Sequence, residues 1–210
     1  MDNYVITIAR GYGSGGKTIG KSLAQVLGIA CYDREILHMA SDESGINEAL
    51  FHNADERIPS SIFANFKKGI YKDALIPPED SHFVSDENLF NYQAKIIKEL
   101  ASTESCVIIG RSADYILRTF PNVVSVNIQA PFDSCVAEVM KRQSLSEKEA
   151  RRKVTQIDKY RSDYYEYYTG KKWLDATNYD ITINSARLGF DRCVDAIIGF
   201  TEFKLGRTIR

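Results

Sequence analysis

Hydrophobic and polar positions follow two alternating periods along the chain. Val5–Ala9, Ile29–Tyr32, Cys106–Ile109, Val123–Ile128 and Tyr179–Ile183 are short apolar runs rich in β-branched residues, which predicts five strands. Between them apolar residues recur every three or four positions. Ile19, Leu23, Val26 and Leu27 share one side of a helix predicted over Lys17–Leu27, and Gly28 ends it. Further helices are predicted over Asp33–Ser41, Asn88–Ala101, Ala113–Thr119, Phe132–Gln143, Ser146–Tyr168 and Phe190–Phe203. Strands separated by helices imply right-handed βαβ crossovers. The predicted fold class is therefore α/β, a three-layer arrangement in which a five-stranded parallel sheet is flanked by helices. The stretch 53–85 breaks the rhythm, with Pro59, Pro77 and Pro78 and with Phe63, Phe66 and Tyr71 around Lys67-Lys68. A structureless linker of that length is uncommon inside a compact domain, so an inserted helical substructure or cover is expected there.

Composition changes this picture only at the margins. A length of 210 residues suits one domain, 1–210, with 53–85 as an inserted acceptor-binding or cover segment and 142–172 as a lid region. The 27 basic and 28 acidic side chains nearly cancel, which leaves no overall electrostatic footprint for a nucleic-acid partner. No run approaches the roughly 18 apolar residues of a membrane span, so no membrane partner is expected. Met1-Asp2-Asn3-Tyr4 lacks the basic start of a secretory signal. Cys31, Cys106, Cys135 and Cys193 stand far apart with no CxxC pair. Reduced thiols and a cytoplasmic location are the expectation.

The candidate chemistry begins at Gly11-Tyr12-Gly13-Ser14-Gly15-Gly16-Lys17-Thr18, which satisfies GxxxxGK(S/T) directly between a predicted strand and a predicted helix. A loop that wraps backbone N–H groups around phosphate oxygens needs conformations that glycine permits. The helix that follows aims its free amides and positive dipole end at the same anion. Gly11, Gly13, Ser14, Gly15, Gly16, Lys17 and Thr18 are thus expected to hold ATP, with Lys17 on the β- and γ-phosphates and the Thr18 hydroxyl on Mg²⁺. A dinucleotide loop is excluded because Lys-Thr follows the glycines at once. A GTPase is excluded because no NKxD stands in the chain and Asp42-Glu43-Ser44-Gly45 has no strand before it. A small phosphotransferase fits, with a nucleoside triphosphate and a small-molecule acceptor as its partners.

Several charged residues extend the site. On a single helix over Ser146–Tyr168, Arg151, Asp158 and Arg161 fall within about 80° of one another at roughly 100° per residue. Tyr165 shares that face. Arg142 and Arg152-Lys153 add charge, and the cluster reads either as a phosphate-clamping lid or as a solvated helix with internal ion pairs. Tyr160, Tyr164, Tyr167 and Tyr168 form a stripe read as packing against Trp173 and the core. Arg111 follows the third strand, where ligands sit in open α/β sheets. It reads as an acceptor-binding cation or as an ion-pair partner of Asp114. Asp33, after the second strand, reads as a metal-assisting carboxylate, as a base for an acceptor hydroxyl, or as a helix N-cap. His38, His52 and His82 have no ligand spacing and receive no role.

These residues resemble the cytidylate kinase-like family of P-loop proteins. The likeness runs through ITIARGYGSGGKTIG (Ile6–Gly20), LGIACYDREIL (Leu27–Leu37), VIIGRSADYIL (Val107–Leu117), DKYRSDYYEYYTGKKW (Asp158–Trp173) and NYDITINSARLGF (Asn178–Phe190). It implies the nucleoside monophosphate kinase fold, ATP as donor and a nucleotide acceptor. Arg111 matches the arginine of the family's Asp-Gly-Arg-Asp string, and Asp158 and Arg161 match its ribose- and phosphate-contacting DxxR. The resemblance also departs from the pattern. Ile109 and Ser112 stand where that string has its two aspartates, and Val154 stands where a further lid arginine is expected. Three functional readings follow from the sequence. The first is ATP- and Mg-dependent phosphoryl transfer to a nucleoside monophosphate or similar acceptor, with Lys17, Asp33, Arg151 and Arg161 catalytic and Asp33, Arg111, Asp158 and Arg161 binding the acceptor. The second is a nucleotide-binding sensor or regulator that has lost transfer. The third is a small-molecule kinase with a non-nucleotide acceptor.

Overall fold

The structure, a computed structural model, describes residues 3–56 and 69–209. Its five strands are β1 (Val5–Arg10), β2 (Ala30–Tyr32), β3 (Cys106–Ile109), β4 (Val123–Gln129) and β5 (Ile181–Asn184). They form one sheet in the order β2-β3-β1-β4-β5, and every neighbouring pair is parallel. Ile6 faces Val107 and Ile8 faces Ile109 across β1 and β3, while Arg10 pairs with Ile128 across β1 and β4. The side-chain period of two sends alternate residues to opposite faces. Val5, Cys106 and Ile108 enter one core, and Ile6, Ile8, Val107 and Ile109 enter the other.

Helices cover both faces. Ile19 and Leu23 of α1 (Gly16–Leu27) and Val194 and Ile197 of α9 (Phe190–Leu205) close the second core. The first core is closed by α2 (Glu35–Ser44), α3 (Glu48–Glu56), α4 (Asp86–Thr103) and α7 (Glu147–Thr169). Here the tyrosine stripe of α7 does pack into the core. Tyr168 stacks on Phe90 with ring centroids 3.9 Å apart, and Tyr164 leans on both rings. Beyond the sheet, α6 (Phe132–Gln143) pairs with the first half of α7 around Val139 and Val154. The long α7 starts where Ser146 and Glu149 form a reciprocal cap, each satisfying the other's free backbone donor. Two one-turn helices, α5 (Ala113–Ile116) and α8 (Ser185–Leu188), follow the ends of β3 and β5.

The stretch 53–85 is described only at its two ends, 53–56 and 69–85. α3 begins ahead of it, at Glu48, and buries Phe51 fully. Pro59, Phe63, Phe66 and Lys67-Lys68 lie outside the described residues. From Gly69 to Ser85 the chain forms neither helix nor strand. The amides of Gly69 and Ile70 donate to the Tyr167 carbonyl and that of Tyr71 to Tyr168, which ties the segment to the end of α7. Asn88, buried in α4, then fixes Ile76 by accepting its amide and donating to its carbonyl. None of the helices among the described residues is long and apolar enough to cross a membrane.

Candidate active site

The parallel sheet delivers its strand ends to one rim, and the Gly11–Thr18 loop leaves the central strand there. Gly13 and Gly15 adopt φ of 90° and 78°. A side chain at Gly13 would meet the Cys135 carbonyl at 2.5 Å, and one at Gly15 would overlap the Phe190 ring. Both positions therefore need glycine for conformation and for space. Ser14 Oγ donates to the Gly11 carbonyl, and the buried Ser185 Oγ donates to the Ser14 carbonyl at 2.6 Å. The loop is thus pinned from β5 and α8 as well as from β1. No side chain caps the start of α1, and its first turn holds no acidic residue. Its first α-helical bond runs from the Ile19 amide to the Gly15 carbonyl, so the Gly16, Lys17 and Thr18 amides precede the ladder. That donor set, with a lysine and an exposed Thr18 on the same turn, fits a polyphosphate and its magnesium ion.

Lys17 Nζ donates to Asp33 Oδ2 at 2.7 Å. The cap of α2 is Arg34, so Asp33 is not the N-cap; its carboxylate faces the loop. Burial pushes the Asp33 carboxyl up. The Lys17 hydrogen bond and the charges of Arg10, Lys17 and Arg111 outweigh that and hold it below its ordinary range. Arg111 Nε donates to the Asp33 carbonyl at 3.3 Å, while Asp114 accepts from Tyr165 Oη at 2.6 Å. Arg111 therefore turns toward Asp33 and the cleft. The turn that carries it is unusual: Gly110, Arg111 and Ser112 have φ of 76°, 60° and 52°. Two successive non-glycine residues in the left-handed region are a costly arrangement, of the kind that clusters at ligand clamps.

Helix α7 closes over the loop. Asp158 Oδ1 accepts the Tyr12 amide at 2.7 Å, Arg161 Nη1 donates to the Arg10 carbonyl at 2.9 Å, and Arg161 lies 3.5 Å from Asp158. The guanidiniums of Arg161 and Arg142 stand 5.5 and 5.8 Å from the centre of the Tyr12 ring. Burial raises the Asp158 carboxyl despite the Tyr12 amide and the charges of Arg161 and Arg10. Asp158 and Arg161 thus come to the site, with the backbone of the Gly11–Thr18 loop and of Arg10 as their partner. Arg151 does not reach the cleft. It is exposed and paired with Asp133 and Glu147, both at 2.8 Å, whereas Arg142 and Lys153 line the cleft from that end.

The cleft these residues enclose has a volume of about 1080 Å³. Its lining includes Arg10, Arg34, Asp114 and Trp173, to which the sequence reading assigns no function. Arg10 has a readable signal, since it is the last residue of a central parallel strand, one step ahead of the glycines. Asp114 is buried, and its carboxyl is pushed up to about 6 by that burial, against the Tyr165 hydrogen bond and backbone amides. Ile109 is fully buried in the second core, so β3 presents no carboxylate at that position.

In structure the chain is similar to an uncharacterised protein from Eubacterium ventriosum, at 27% identity and a TM-score of 0.69, over 95% of this chain and 99% of that one. It is similar to a shikimate kinase from Bacteroides thetaiotaomicron at 14% identity and a TM-score of 0.53, covering 95% of this chain and 98% of that chain. A sugar kinase from Janibacter sp. gives 14% identity and a TM-score of 0.51, covering 95% of both chains. At such identity the two kinases show the fold alone, and that fold is the one built here: a five-stranded parallel sheet flanked by helices. No curated protein matches the chain in sequence. Residues 5–187, from the first strand to the turn after the last, match the model of a single family. The chain belongs to the cytidylate kinase-like family.

Proposed function

We propose that the chain transfers the terminal phosphoryl group of Mg·ATP to a small acceptor, a nucleoside monophosphate or a molecule like it. The observation that carries this reading is the convergence of Lys17, Arg10 and Arg111 on Asp33 beside an uncapped helix N-terminus. When bound, the triphosphate supplies a γ-phosphorus whose bond to the β–γ bridging oxygen breaks as one to an acceptor oxygen forms, and the nucleoside diphosphate leaves. Everything else is positioning and electrostatics by the chain's own residues. The amides ahead of α1 and Lys17 hold the donor, and Thr18 and Asp33 are the oxygen groups suited to the magnesium ion. Arg111 and Asp33 orient the acceptor, and Asp33 takes the proton if the accepting oxygen is a hydroxyl. Arg161 and Asp158 keep α7 down on the loop and exclude water, which would otherwise consume the donor. Arg151 acts from outside the cleft, by setting the α6–α7 junction through Asp133.

The test is incubation with ATP, magnesium and CMP, dCMP, UMP, AMP or a metabolite pool, following ADP. Acceptor-dependent ADP supports transfer and names the acceptor class. The absence of a carboxylate at Ile109 favours a second reading, a nucleotide sensor; tight ATP binding with no turnover on any acceptor would establish it. Four free thiols and substrates of this kind suit a cytoplasmic setting.

A further inference from the structure

Arg10 lies in a slot that two glycines create. A side chain at Gly16 would overlap the first carbons of the Arg10 stem, and one at Gly110 would overlap its guanidinium. The stem therefore rests on the phosphate loop and the guanidinium on the turn that carries Arg111, so the side chain spans the gap between the donor side and the acceptor side. It lies on the lining of the cleft, with 20% of its side-chain surface exposed.

Its charge meets the same carboxylate as Lys17. Arg10 Nη2 stands 3.9 Å from Asp33 Oδ1, and Lys17 Nζ 2.7 Å from Asp33 Oδ2. Arg10 and Lys17 flank the Asp33 carboxylate, Arg111 donates to the Asp33 carbonyl, and like charges gathered in this way are stabilised by an anion among them. In this structure the carboxylate of Asp33 is that anion. The lysine of a GxxxxGK(S/T) loop reaches the β- and γ-phosphates. A guanidinium that shares a carboxylate with this lysine, and that reaches from the loop to the Arg111 turn, would meet the γ end of a triphosphate held there. Its planar fork suits two phosphoryl oxygens at once, which an ammonium cannot match.

We infer that Arg10 contacts the terminal phosphoryl group and reads its presence, so that it distinguishes a triphosphate from a diphosphate. The inference rests on the nucleotide reading above and adds a residue to it.

Calorimetry with Mg·ADP and with the magnesium complex of the imido analogue of ATP, which keeps a γ-phosphoryl group and is not hydrolysed, separates the two. Arg10→Met should weaken the analogue at least tenfold and leave ADP within about twofold, with the melting temperature recorded in parallel. Arg10→Lys keeps the stem in the glycine slot and withdraws the fork. It should give an intermediate loss on the analogue alone, and it serves if Arg10→Met does not fold. Equal weakening of both nucleotides would mean that Arg10 only supports the loop, and no change in either would mean that it touches neither; each result overturns the inference. Failure of the unaltered protein to bind either nucleotide would overturn the nucleotide reading itself, and this inference with it.

Discussion

Lys17 and Asp33, sixteen residues apart in sequence, form a 2.7 Å ion pair that joins the Gly11–Thr18 loop to the end of the second strand. The lysine side chain is half exposed and the carboxylate mostly buried, so the pair is anchored at the Asp33 end. A ligand phosphate must draw Lys17 away from this internal anion. Asp33→Asn should therefore tighten magnesium-free ADP by about three- to tenfold, the range a partly exposed ion pair of roughly 1 kcal/mol allows. The same variant should lose transfer by orders of magnitude once magnesium and an acceptor are supplied. Calorimetry in the presence of a chelator and an ADP-release assay read the two effects.

Lys17→Ala should lower transfer by at least 100-fold while shifting the melting temperature by no more than a few degrees, because the ammonium is half exposed and packs no core. Full transfer in this variant would remove the loop from the reaction.

Two glycines of similar conformation should respond differently to alanine. Gly15 and Gly28 have φ of 78° and 66°, but a methyl group meets the Phe190 ring at Gly15 and open space at Gly28. Gly28→Ala should cost only the left-handed backbone penalty, about 1–2 kcal/mol. Gly15→Ala should cost more, about 3 kcal/mol or above, and should abolish nucleotide binding as Phe190 is displaced. Denaturant titration of the pair gives the difference.

Asp114 predicts a pH signature. Its folded-state carboxyl is pushed up to about 6 by burial, so between about pH 4 and 6 the native state holds a proton that the unfolded chain has released. Stability from this group is highest below pH 4, falls as pH rises toward 6, and stays reduced above it. Asp114→Asn, which can still accept from Tyr165, should flatten that decline and gain of the order of 2–3 kcal/mol on the wild type at pH 7. Melting curves of both proteins from pH 4 to 7 check the difference and its sign.

Trp173 is the chain's single tryptophan and lines the cleft. Its fluorescence should change on saturation with a nucleotide or acceptor. An unchanged spectrum under conditions where calorimetry reports binding would place the ligand elsewhere.

Much of this architecture is legible in the residue pattern. β3 and α6 have the predicted bounds, because a run of β-branched residues and an amphipathic stretch are local signals. The Gly11–Thr18 loop is local in the same way: its eight residues are consecutive, and the structure sets them between β1 and α1. Arg151 shows where periodicity stops informing. It shares a helical face with Arg161, yet ten residues separate them, about 15 Å along the axis, and the cleft reaches only one. For Arg10 the chain shows the strand-end position but not the slot, because Gly16 and Gly110 meet its side chain from two segments that no local window joins. α3 escapes the pattern because nine residues carry too few apolar positions to define a period.

The sheet also divides labour between its middle and its margin. The Gly11–Thr18 loop grows from β1, a six-residue strand whose first five residues are buried and which has partners on both sides. Asp33 follows β2, three partly buried residues at the border of the sheet. Amino-acid changes near β2 disturb few contacts, whereas changes near β1 disturb the whole interior. Under the proposed transfer reading, such a scaffold would let the choice of recipient change at the margin of the sheet while the grip on the triphosphate, seated at its middle, stays fixed.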